Sequence, residues 1–149
     1  MAISKSSKHD ARNKEQIKKR LVALGMSKWG LLKSETRALY EILHPVEYIG
    51  GIIFGHSEAG SIMLIASDRR VIYLDTKPFF KQTEDISYDV VAGITVEWVG
   101  MRGTVILHTR LGNFRVRTVN RKAADIFKKY VEKRCIEHQE GNNKHATTI

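Results

Sequence analysis

From Val46 to Val119, apolar residues recur at every second position in seven short runs, each closed by turn-forming or charged residues. No other feature restricts the fold as much, because period two sends alternate side chains to opposite faces of a strand. The runs are VEYIGGIIFGHS (46–57), SIMLIAS (61–67), RVIYLD (70–75), KQTEDISYDV (81–90), GITVEWVG (93–100), TVILHTR (104–110) and FRVRTV (114–119). Their spacing of roughly eight to twelve residues suits antiparallel meanders. Turns are expected at EAG (58–60), Asp68-Arg69, MRG (101–103) and LGN (111–113), with a loop in TKPFF broken by Pro78. Glycines 50, 51 and 55 inside the first run predict a bulge or a strong bend. In the second hairpin, Met63, Ile65, Val71 and Tyr73, or their alternates, are expected to feed the core. Asp68 and Arg69 read as its structural corner, with a binding role as the alternative.

The flanks follow the helical period. Ile17, Leu21 and Leu24, widened by Val22, form a stripe over residues 10–24, with Asp10 as N-cap and Gly25 as the residue that ends the helix. Its other faces carry Lys14, Lys18, Lys19 and Arg20. Such a basic amphipathic helix can pack on its own domain, lie on a membrane or enter a partner's groove. A second short helix opens at Ser34, carries Ala38, Leu39, Ile42 and Leu43, and stops at His44-Pro45, because the residue before proline resists the helical region. Trp29, Leu31 and Leu32 are expected to anchor this region. Asn120 caps a third helix with Ala123, Ile126, Phe127, Tyr130 and Val131 on one face. Residues 1–8 and the polar tail 137–149 are expected to be disordered.

The chain of 149 residues suits one domain with appendages, and 42% hydrophobic content suffices for a core. A single cysteine, Cys135, leaves no partner for an internal disulfide. The formal net charge is +9, and residues 1–33 hold nine Lys/Arg against Asp10 and Glu15, so +7 lies in the first fifth. A basic arm reads as a contact for phosphate on nucleic acid or lipid, or as a solubilising segment. No secretory leader and no apolar run of membrane-spanning length is seen. A cytoplasmic location is expected, with peripheral membrane association left open.

The ordered set of elements resembles the bacterial pleckstrin-homology-like (PH-like) domain family. The resemblance rests on LHPVEYI (43–49), LIASDRRVIYLD (64–75), ISYDVVAGI (86–94), TVILHTRLGNFRVRTV (104–119) and the closing helix. It implies a mainly β fold with α elements: a barrel of seven antiparallel strands in two near-orthogonal sheets, capped by a C-terminal helix. The expected divisions are a basic helical extension (1–43), the PH-like domain (44–136) and the tail (137–149). The resemblance also implies a non-catalytic binding module. PH domains that bind phosphoinositides place several Lys/Arg on the first two strands and their loop. Here that hairpin, GIIFGHSEAGSIML, has neither Lys nor Arg and carries Glu58, so the familiar inositol-phosphate pocket is not expected.

Catalytic patterns are missing. The six histidines (9, 44, 56, 108, 138 and 145) show no HxxxH or HExxH spacing, and no G-x-S-x-G, P-loop or G-x-G-x-x-G occurs. No catalytic residue, metal ligand, cofactor or small-molecule substrate is expected. The candidate ligand-binding residues are Arg102, Arg110, Arg115 and Arg117 on the last strands, and Lys18, Lys19 and Arg20 on the first helix. Arg115 and Arg117 alternate with Phe114 and Val116, so their guanidiniums share one face and can take phosphate or carboxylate bidentately. A solvated face balanced by Glu84 and Glu97 is the competing reading. Partner classes left open are a protein or a second copy, an anionic membrane surface and, as the alternative, nucleic acid.

Overall fold

The computed structural model describes residues 14–27, 34–58, 60–77 and 80–146. The Asp10 cap, the order of residues 1–8, the anchoring by Trp29, Leu31 and Leu32, and the loop at Pro78-Phe79 concern residues outside these. A helix through residues 14–23 (α1) and helix Ser34–Ile42 (α2) precede seven strands. The strands are β1 (Ile49–Ser57), β2 (Gly60–Ser67), β3 (Arg70–Lys77), β4 (Phe80–Ser87), β5 (Val91–Val99), β6 (Arg102–Thr109) and β7 (Gly112–Thr118). A 3-10 turn, Tyr88–Val90, joins β4 to β5, and helix α3 (Arg121–Ala146) closes the chain.

All strand pairs are antiparallel, in the order β4-β3-β2-β1-β7-β6-β5. They hydrogen-bond as one seven-stranded sheet, where two sheets were expected. Its two halves meet at a narrow junction: β1 and β7 share the single residue pair His56↔Arg117. The glycine-rich first run shifts register between Ile49 and Gly51, as a bulge does. Gly55 has a closer constraint. A Cβ there would lie 2.1 Å from the Arg117 carbonyl oxygen, so only glycine lets β7 approach β1.

Both faces of the β2–β3 hairpin are buried. Ile62, Leu64, Ala66 and Val71 pack with Val105, Val116, Phe127 and Val131 under α3. Met63, Ile65, Ile72 and Leu74 pack on the other side with Leu21, Leu24, Met26 and Leu39 from the N-terminal segment. The unbroken apolar run 62–66 is therefore a two-faced strand, not an alternating one. Helix α1 is thus part of the folded body. It ends in a Schellman motif: Met26 N–H donates to Leu21 O, Gly25 N–H donates to Val22 O (both 3.0 Å), and Gly25 takes φ +103°.

Asn120 ties the two ends together. Its Oδ1 accepts from the Ala123 N–H at 3.0 Å, capping α3, while its Nδ2 donates to the Gly25 carbonyl at 2.7 Å. Helix α3 runs past residue 137 to Ala146, which corrects the expected disordered tail across 137–146. The physical reason is a tertiary contact on the added turns. His138 Nε2 pairs with Asp89 Oδ1, which a helix-period reading of apolar residues does not register.

Candidate functional site

The two quoted stretches LHPVEYI and SDRR meet in space. The Glu47 side chain is inaccessible to solvent and takes Arg70 bidentately, from Nε to Oε2 and Nη2 to Oε1, each 3.0 Å. Arg70 also donates to Asp85 Oδ2 (2.6 Å) and the Ile42 carbonyl (3.1 Å). Ser67 Oγ donates to Glu47 at 2.5 Å and accepts from the Arg69 and Arg70 amides, both 3.1 Å. Tyr88 donates its hydroxyl to the Ser67 carbonyl at 2.5 Å. Asp68 and Tyr48 exchange hydrogen bonds of 2.8 and 2.9 Å, and Arg134 donates to the Asp68 carbonyl. Burial opposes ionisation of Glu47, but hydrogen bonds from Arg70, Ser67 and the His44 amide outweigh it and hold the carboxyl below its ordinary value. The Glu47, Ser67 and Arg70 side chains are all engaged with the chain itself, so this corner acts as a structural clamp, although Arg134 Nε is buried without a partner.

The alternation in β7 sorts its residues as expected, whereas β6 buries Val105, Ile106 and Leu107 in succession. Val105, Leu107 and Val116 are fully buried, and Arg115 and Arg117 face outward. In register, Arg117 pairs with Thr104 on one side and His56 on the other. Arg102 lies at the start of β6, opposite Val99. Arg102, Arg117 and His56, with Phe54, Thr118 and Val119, line a shallow depression of about 430 Å³ whose lining includes no carboxylate. Arg115 and Arg117 also border a larger cleft of about 640 Å³, where Glu58, Asp75 and Glu84 supply opposite charge. Burial and the neighbouring Asp75 raise the Tyr73 phenol in that cleft, so it stays neutral. Among the described residues, Arg102, Arg115 and Arg117 form no ion pair.

The other candidates are placed elsewhere. Arg110 sits in the β6–β7 turn and borders a third cleft of about 470 Å³ beside Asp89, Cys135 and His138, apart from the Arg102–Arg117 depression. Arg110 is therefore set apart from the face that carries Arg115 and Arg117, because a residue at the hairpin turn leaves the strand's alternation. On α1, Arg20 donates to the Ile49 carbonyl at 2.9 Å and lies 4.4 Å over the Tyr48 ring. Lys18 pairs with Glu15 at 3.4 Å, and Lys19 is exposed.

No hydrogen bond joins Cys135 to His138 among the described residues, and burial pushes the Cys135 thiol up, which favours its unreactive form. Among those residues no cluster of three His, Cys, Asp or Glu side chains could hold a metal ion. No described helix is long and apolar enough to cross a membrane.

The sequence profile of the bacterial PH domain matches residues 43–133. The chain belongs to the bacterial PH domain family. In this PH domain the matched span runs from the clamp's entry stretch to the middle of α3, so the Glu47–Arg70 corner lies inside it and α1 outside. The chain is also similar to a crystal structure of a DUF1696 family protein with a pleckstrin-homology domain from Shewanella loihica PV-4. That likeness has 14% identity and a TM-score of 0.46, covering 67% of this chain and 92% of that one. No curated protein matches the chain.

Sequence reading missed two features of this PH domain. The Glu47–Arg70 pair joins residues 23 apart, and only a charged residue standing between apolar ones in VEYI hinted at it. The exposed apolar tip at Val99 and Met101 was passed over as an ordinary turn, although VGMR puts two apolar residues where turns favour polar ones.

Proposed function

We propose that this PH domain is a non-catalytic binding module for an anionic partner, and that the partner is the phosphate-bearing surface of a membrane. The supporting observation is the depression holding Arg102, Arg117 and His56 without a carboxylate. Guanidiniums with no ion pair of their own keep their donors for phosphate oxygens. Nucleic acid is less well served. Base stacking needs exposed aromatic rings among the cations, and of the two aromatic residues of that depression Phe54 is partly buried against the core, which leaves only His56 exposed. Helix α1 adds charge through Lys19, but its apolar face is spent on the sheet.

The test is co-sedimentation of the full chain with vesicles of phosphatidylcholine alone or mixed with phosphatidylglycerol, at low and near-physiological salt. Single-stranded nucleic acid is assayed by filter binding on the same samples. Expected are sedimentation with the anionic vesicles only, weakening with salt, and its loss in Arg102→Gln/Arg117→Gln. Preferential nucleic-acid binding would replace this reading. Binding to neither polyanion would move the search to protein partners or a second copy at the sheet-edge strands β4 and β5.

A further inference from the structure

Three large apolar side chains stand in water at one end of the molecule: Val99 (82% exposed), Met101 (84%) and Val119 (74%). Single exposed apolar residues are ordinary, whereas a group of them beside several cations suggests an interaction surface. Val99 and Met101 flank Gly100 at the tip of the β5–β6 hairpin, where Val99 pairs with Arg102. Gly100 takes φ +61° at the first loop position, as a tight two-residue hairpin turn with glycine there requires. The tip is thus a short, shaped projection. Arg121 braces it from α3 by donating to the Gly100 carbonyl at 3.2 Å and lying 4.3 Å over the Trp98 ring. Val119 borders the same depression as Arg102, and Lys122 is the exposed residue that follows Arg121 in α3. The nearby cations are Arg102, Arg121 and Lys122. Of the nearby acids, Asp125 pairs with Lys129 at 2.9 Å, and Glu97 shares its ladder row with Thr104 and Arg117.

We infer that the β5–β6 tip is a membrane-inserting wedge, with Val99 and Met101 entering between anionic headgroups while Arg102 and Lys122 bind their phosphates. This rests on the membrane reading above and names the contact that would carry it. The half-buried Trp98 behind the wedge sits where an amphipathic ring suits the headgroup layer. The wedge lies at the opposite end of β5 from the Asp89–His138 contact and does not use the β1–β2 hairpin.

The experiment uses the full chain carrying Trp29→Phe, so that Trp98 alone reports. Vesicles of phosphatidylcholine, with or without phosphatidylglycerol and with lipids brominated near the headgroup, are titrated in. Expected are a blue shift and quenching of Trp98 on anionic vesicles only. Val99→Ser/Met101→Ser should lose about tenfold in partitioning, since two apolar side chains no longer leave water. A thermal melt by circular dichroism verifies that this surface variant stays folded. If the parent binds anionic vesicles but Trp98 is not quenched and the variant binds equally, the wedge is overturned and the membrane reading survives through another surface. If the parent ignores anionic vesicles, the membrane reading itself fails. Equal binding to phosphatidylcholine alone would overturn the role given to Arg102 and Lys122.

Discussion

Arg70 meets the buried carboxylate of Glu47 with two guanidinium nitrogens, each 3.0 Å from its own oxygen. The pair joins the chain's entry into the sheet to the corner between β2 and β3. Replacing Glu47 with Gln leaves Arg70 partly buried with only Asp85 as an ion partner. Breaking a buried pair this way costs about 3 kcal/mol, measured as a lower urea midpoint at neutral pH.

The same carboxylate sets an acid limb. Its folded pKa lies below the unfolded value, 4.5 for an ordinary glutamate. Its contribution is therefore complete above that value and is lost as pH falls through the folded pKa. Melting temperatures from pH 7 to 3 should fall more steeply for the parent than for Glu47→Gln. Parallel curves would show that other carboxylates govern acid unfolding.

Asn120 caps α3 and holds the end of α1 with one side chain. Asn120→Ala should cost about 1–2 kcal/mol. Asn120→Asp keeps the cap but cannot donate to Gly25. It should restore most of the stability while hydrogen exchange stays faster in residues 21–26.

Gly55→Ala places a methyl group against the β7 backbone at the one residue pair joining the halves of the sheet. The expected loss is roughly 2–3 kcal/mol, seen in denaturant titration. A neutral result would mean that the β1–β7 junction opens without cost.

His138→Ala removes the contact to Asp89 that accompanies the last turns of α3. The Asp89 carboxyl, held below its ordinary range chiefly by the His138 hydrogen bond, should return towards that range in a carbon-detected titration. Amide exchange should rise over residues 138–146 and stay unchanged in β6.

Much of the sheet was legible because period two, turn glycines and the Asn120 cap act locally. The hairpins at Asp68-Arg69 and LGN follow from that chemistry, and so does the outward pairing of Arg115 with Arg117. The hairpin core was only half legible. Met63 and Ile65 against Ile62 and Leu64 cannot be ranked by alternation when helices cover both faces, and both sets are buried. Arg110 resembled its neighbours in composition, yet one residue beyond a strand is enough to leave its face.

The sequence by itself determined the strands, the flanking helices and the family, since these follow from periodicity, backbone preferences and motif order along the chain. Only the tertiary structure decided that α1 docks on the sheet, that Glu47 and Arg70 neutralise each other, and that Val99, Met101 and Arg102 share one end with Arg121. Those outcomes depend on groups distant in the chain meeting within a few ångströms, and hydrogen bonds and burial act only at such distances.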